Sequence, residues 1–265
     1  MTPAPLFFAL LPLAVSAPQD PAADAARLVP PGSFLTLRVD SAEGLHRLAA
    51  RLAGMAGDDG PADAAAMLAE MDLPGDTAQI DAARPGYVAL SLQGMGMLTT
   101  FVVPARDAAA FTASLADETS LHTASAGAYV GVSQQAGYAA LADPNPLVAA
   151  LRPGLAAARI DLKTLIQTFR PMIEMGMGQL ERMRDQAALG MEQDAPMDMA
   201  ALLEVYVEGI WAFLDSADQL DLALEFDGSA GQQRAWLTTL PDSPMAKMGG
   251  DERFDLRPAA RWIDP

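Results

Sequence analysis

A chain of 265 residues, 51% of them hydrophobic, holds enough apolar material for a substantial core, so disorder is not its default state. Its 34 acidic residues against 17 basic ones give a formal charge of −17, a field that repels DNA, RNA and anionic lipid headgroups and speaks against a nucleic-acid partner. There is no cysteine, which removes disulfides, thiolate zinc sites, iron–sulfur clusters and cysteine nucleophiles at once.

The amino terminus reads as an export signal. Leu6 to Val15 (LFFALLPLAV) is an apolar run too short to span a bilayer and suited to the hydrophobic region of a signal peptide. Ala14-Val15-Ser16 places small residues before a cleavage after Ser16, although no Lys or Arg precedes the run. The expectation is a signal peptide over 1–16, a periplasmic or secreted product, and a flexible leader over 17–27. Nothing later in the chain predicts a transmembrane span.

Beyond the leader the chain reads as two tandem copies of one unit, 28–150 and 151–245. PGSFLTLRVD (31–40) and PGLAAARID (153–161) both open on Pro-Gly, run as a strand and end Arg-(Val/Ile)-Asp. A helical face follows each, Leu45, Leu48 and Leu52 in the first and Ile166, Phe169 and Ile173 in the second. Asp40, three residues before Glu43, reads as a capping-box start, with Asp161 in its place in the second copy. YVALSLQG (87–94) parallels DLALEFDG (221–228) as a half-buried strand. LTTFVVP (98–104) parallels LTTLP (237–241) as its return, the second hairpin turning through GSAGQQRAW.

The first copy then predicts helices near 62–71 and 106–116, a strand at 127–133 and a short helix to about 142, ended by Asp143-Pro-Asn-Pro146. The second predicts a long helix over 162–188, kinked at Pro171, and a dense apolar helix over 198–214. The tail, 246–265, contains PAARWID (258–264), which opens a third copy or completes the second sheet. The fold class expected is α+β, an antiparallel sheet with helices packed on one face.

Candidate chemistry is sparse. Side chains two apart share a strand face, so Arg38 with Asp40 and Arg159 with Asp161 offer either a polar ligand anchor or, the favoured reading, an ion pair beside a helix cap. His46 and His122 lie in no zinc-ligating pattern. Gly131-Val-Ser133-Gln-Gln135 begins like a nucleophile elbow but lacks its second glycine. No phosphate loop or calcium loop is present, and pairs such as Asp58-Asp59 or Asp215 and Asp218 stand out from nothing on so acidic a chain. No catalytic residue, metal ligand or cofactor is assigned.

Methionine is the unusual resource: seven of the 15 fall between Met172 and Met199. Thioethers suit Cu(I), but residues two apart on a helix, such as Met175 and Met177, diverge. The preferred reading is an adaptable apolar core or groove, with Met172, Met175, Met183, Phe169, Tyr206 and Trp211 as its ligand-binding candidates.

The Pro-Gly strand, the Arg-x-Asp ending, the LTT return and VVPARDAAAF together resemble a broad set of uncharacterised exported bacterial repeat-containing proteins, over residues 28–245. That resemblance implies export and a repeated unit; it implies no activity and no catalytic residue. The function expected is a non-enzymatic extracytoplasmic binding or interaction protein with a protein partner or an apolar ligand. One alternative is a carrier holding an apolar or amphipathic ligand in a Met-rich groove; another is a hydrolase using carboxylates. A carrier needs an apolar cavity, an enzyme a cleft with convergent polar groups, and an interaction protein an exposed apolar patch.

Overall fold

The structure is a computed structural model that describes residues 21–56, 61–71, 73–94, 96–190, 199–226, 231–249 and 254–255. The signal sequence, the first residues of the leader, Asp58-Asp59, Met191, Met197 and PAARWID lie outside the described residues, as do the side chains of Met183 and of Leu202 and Leu203.

The fold is α+β. Strands β1 (Ser33–Val39), β2 (Gly86–Gln93), β3 (Gly96–Pro104), β4 (His122–Ala126), β5 (Tyr129–Ser133), β6 (Ala156–Asp161), β7 (Ala217–Phe226), β8 (Gly231–Thr239) and β9 (Phe254–Asp255) form one sheet. Its order is β4-β5-β3-β2-β1-β6-β7-β8-β9, and every named pairing is antiparallel. β1 and β6 therefore pair at the middle, with hairpin β2–β3 on one side and hairpin β7–β8 on the other. Arg38 lies opposite Tyr87 and Arg159 lies opposite Asp221; Tyr87 lies opposite Val102 and Asp221 opposite Trp236. β1 and β2 thus pair in the same register as β6 and β7.

The return strands match differently from the sequence expectation. Leu98 lies opposite Ser91, whereas Leu237 lies opposite Leu220, so the two LTT segments sit at opposite ends of their hairpins. Gly231–Trp236, expected in the second turn, belong to β8.

The helices are α1 (Pro21–Ala26), α2 (Ala42–Ala56), α3 (Ala64–Glu70), α4 (Ala108–Ser114), α5 (Pro146–Ala149), α6 (Leu162–Gly190), α7 (Met199–Leu214) and α8 (Pro244–Gly249). Asp161 caps α6 as expected: its carboxylate accepts from Thr164 N at 2.8 Å and from Thr164 Oγ1 at 2.7 Å. In the first half that role falls instead to Ser41, whose hydroxyl accepts from Gly44 N at 3.0 Å. Asp40 faces Arg38 at 3.7 Å. Ser41 is the better placed oxygen because α2 begins one residue later, at Ala42.

Two departures concern the leader and the segment after β5. The described part of the expected leader, 21–27, is not flexible: α1 forms, Ala25 and Ala26 are buried, and so are Leu28 and Val29 just after it. Residues 134–142 form no helix but lie as an irregular strap that holds the leader. Leu141 N donates to Arg27 O at 2.7 Å, Asn145 N to Ala26 O at 3.0 Å, and Tyr138 Oη to Leu28 O at 2.5 Å. The edge strand β4 (HTASA) has no apolar alternation to announce it, as befits a strand paired on one side only.

The leader also adds a helical layer on the second face of the sheet. α1 and α5 pack on Tyr87, Ala89, Val102 and Tyr129. α3 and α4 pack with Phe101, Val103, Val130 and Val132, which alternate with the first set along their strands and so point the other way. β5 is consequently buried along its whole length, which is why Tyr129 to Val132 reads as an apolar run without polar alternation.

Candidate functional site

The α6–α7 hairpin carries the methionine-rich surface. The two helices pack on one another, with Met177 and Val207 buried between the structured parts of the fold. The six expected ligand-binding residues divide. Met172 is 58% exposed, Met175 71% and Tyr206 59%; Phe169 and Trp211 are half-buried. Val205, beside Tyr206, is 69% exposed, and sequence reasoning passed over it because it sat within a dense apolar run. Met172, Met175, Val205 and Tyr206 are thus exposed apolar side chains on the two helices.

The middle of the sheet is also incompletely covered on one face. Leu37, Leu90, Ile160, Leu222 and Leu224 alternate with the polar row that contains Thr36, Arg159 and Asp221, and all five are half-buried rather than buried. Central strands of a nine-stranded sheet normally bury such residues, so this face retains apolar area in contact with water.

Two cavities are described, and neither takes a residue from the methionine-rich set. The first, about 110 Å³, lies between α2, α3 and the first hairpin and is apolar, with Leu45, Met67, Leu68, Val88 and Phe101 in its wall. Ligand sites usually run from roughly 300 to 1,000 Å³, so it is too small for a lipid or similar cargo.

The second, about 350 Å³, opens between α5, the start of α6 and the central strands. Phe34, Thr36, Arg159, Asp161, Lys163 and Gln219 contribute to its wall. Asp221 beside it is 3% exposed and accepts from Arg159 Nε at 2.7 Å, Arg159 Nη2 at 3.1 Å and Gln219 Nε2 at 3.0 Å. Arg152 lies 3.9 Å from Asp221 and stacks over Trp236 at 4.9 Å. The Arg159 partner is therefore Asp221 on the neighbouring strand, not Asp161, which is occupied by the helix cap.

The remaining candidates have structural roles. His46 meets Pro61 O at 2.8 Å and ties α2 to the segment before α3; His122 is exposed on the edge strand. Ser133 is 1% exposed, shares a hydrogen bond with Thr100 Oγ1 at 2.8 Å and accepts from Gln135 N at 3.1 Å; His122 lies opposite it on β4 and takes part in neither bond. No group of three or more His, Asp or Glu placed to hold a metal ion occurs among the described residues, and none of their helices is long and apolar enough to cross a membrane. Burial, with Tyr87 next to it, pushes the Tyr129 phenol up to about 12, and burial raises Tyr138 as well. Both phenols belong to the first-half core and its strap rather than to the polar cavity.

Comparisons with protein-family models, with curated proteins and with solved structures find no match for this chain.

Proposed function

We propose that the protein is an exported, non-enzymatic binding protein that engages a partner through the apolar surface of its α6–α7 hairpin. The observation that carries this reading is the pair Val205 and Tyr206, 69% and 59% exposed side by side on α7, with Met172 and Met175 exposed on the helix packed against it. Large apolar side chains gathered in this way cost free energy in water and mark contact surfaces. Met and Tyr suit such a surface, because Met adapts to varied shapes and Tyr offers apolar area with a polar tip. Neither described cavity takes one of these residues, and their exposure favours a surface contact over an enclosed cargo. Matching registers around the β1–β6 pair support an origin by duplication of one unit.

An apolar fluorescent probe tests the surface. It should bind the native protein, and the double change Val205→Ser/Tyr206→Ser should remove most of that binding while leaving the unfolding midpoint in place. A native protein that does not bind the probe would defeat the reading. Export is tested separately: the amino terminus of material from its own host should begin at Ala17 or within a residue or two, and an intact Met1 on cytoplasmic protein would refute it.

A further inference from the structure

The chemistry around Val205 and Tyr206 specifies more than an apolar contact. From Asp185 to Gln233 the chain contains no Lys or Arg but eleven Asp and Glu. Several of these acids are already neutralised: Asp221 by Arg159, Asp215 by Arg170 at 3.6 Å and Glu225 by Arg234 at 3.4 Å. Glu204 and Glu208 are not. Both are exposed, they flank Val205 one turn apart, and neither forms an ion pair among the described residues. Like charges at this spacing repel along a helix, so the arrangement works against α7 in isolation. Cations placed beside them would relieve that repulsion. Gly209, next in line, has nothing within 4 Å of where a side chain would begin, which leaves room for a second backbone to approach.

We propose that the occupant of this surface is a cationic amphipathic segment of another polypeptide, its apolar side on Val205 and Tyr206 and its Lys or Arg side chains on Glu204 and Glu208. The inference rests on the reading of α7 as a contact surface and adds the chemical class of the partner. A purely apolar ligand leaves the two carboxylates unanswered. An anionic bilayer or nucleic acid is repelled by them and by the net charge of −17. A helix-in-groove or helix-on-helix contact with complementary charge satisfies both halves of the surface.

The test titrates the full chain with labelled peptides of roughly 20 residues, long enough to form a helix on binding. One carries Lys and Leu at helical spacing, one Glu and Leu at the same spacing, and one Lys and Ser. The Lys/Leu peptide should bind, the Glu/Leu peptide should not, and the Lys/Ser peptide should bind at least about tenfold more weakly for want of apolar contact. Glu204→Gln/Glu208→Gln should weaken the Lys/Leu peptide about fivefold or more and flatten its salt dependence. Asp117→Asn/Glu118→Gln, the same loss of charge at a distant exposed turn, should leave it unchanged. Equal weakening by the distant change, or equal binding of the Glu/Leu peptide, would overturn the proposal by showing only bulk charge or only apolar contact. The apolar probe keeps the two readings apart: if it binds at α7 while the peptides show no charge preference, only the class of partner is wrong; if it does not bind, the contact surface itself fails.

Discussion

Replacing Asp221 with alanine removes the single acceptor that holds three donors on the central face of the sheet. Arg159 gives it two hydrogen bonds, at 2.7 and 3.1 Å, and Gln219 a third at 3.0 Å; Asp221 itself is 3% exposed. The Arg159 side chain is only 14% exposed, so without Asp221 its charge stays largely shielded from water and unpaired. Breaking a buried pair from one side costs about 3–5 kcal/mol. For a chain of this size that lowers the thermal midpoint by roughly 6–20 °C. Asp221→Asn keeps the shape and one acceptor oxygen and should cost less, about 1.5–3 kcal/mol. Arg159→Met/Asp221→Leu removes both charges and should restore most of the loss, because an apolar pair of similar volume replaces a buried ion pair at little or no cost. Urea unfolding with an unchanged slope is the appropriate measurement. A loss under about 1 kcal/mol for Asp221→Ala, or a double variant no better than the single one, would show that water reaches this pair and that the burial argument is wrong.

Three further outcomes follow from other parts of the fold. A side chain at Gly131 would begin 1.8 Å from Tyr138 Oη, so Gly131→Ala should push Tyr138 off Leu28 O, loosen the leader and cost about 2–4 kcal/mol by chemical denaturation. Trp211→Ala should cost about 2–3 kcal/mol, below the value for a fully buried tryptophan because Trp211 is half-buried; no loss of stability would mean that the hairpin gains nothing from it. Tyr129→Phe should be neutral or stabilising at neutral pH, since Tyr129 Oη is buried with no hydrogen-bond partner among the described residues. The folded phenol titrates near 12 and an unfolded one near 10, so both states are neutral below about pH 10. Above it the unfolded chain ionises first, and Tyr129 should contribute a loss of about 1.4 kcal/mol per pH unit up to about pH 12, a share that the variant lacks while the share from the raised Tyr138 phenol remains.

Much of the second half was legible because its helices are long and its strands half-buried. The 162–188 pattern became α6 and the 198–214 pattern became α7, each within a few residues. DLALEFDG alternates as expected, but its buried face carries Asp221 and Ala223, and Leu222 and Leu224 are the half-buried face. The first half misled where tertiary contacts replaced local signals. PQDPAADAA has the composition of a leader, yet Pro21–Ala26 forms α1, Asp24, Ala25 and Ala26 are buried, and the strap from Tyr138 to Asn145 supplies backbone partners to Ala26 and Arg27. HTASA became a strand only because β5 offered an edge. For the site, the apolar candidates were visible in sequence, but their exposure was not: a helix bearing apolar residues on nearly every face reads as buried, and only the packing shows which side is left over.

One register position explains how two halves with matching strands come to differ in what they can hold. On the central strands Arg38 and Arg159 occupy corresponding places, and the residue opposite each is Tyr87 in the first half and Asp221 in the second. Tyr87 presents apolar area, and the leader closes over it: Ala25, Ala26, Leu28 and Val29 pack there into a dry core. Arg38 meets Gly154 O at 3.1 Å and Asp40 at 3.7 Å instead of a carboxylate on the neighbouring strand. Asp221 instead draws Arg159 and Gln219 onto the face, and a surface so occupied by charge does not accept an apolar helix without a desolvation cost. The space beside it stays open as the polar cavity, bounded by Leu147 where α5 ends its cover. Tyr87→Asp therefore carries a sharp expectation. It should eject the leader, exposing residues 21–29 to limited proteolysis, while the α6–α7 surface continues to bind the apolar probe, because the two lie on opposite sides of the β1–β6 pair in the strand order. Loss of probe binding together with the leader would mean that the halves unfold as one unit and that the hairpin surface depends on the first-half core.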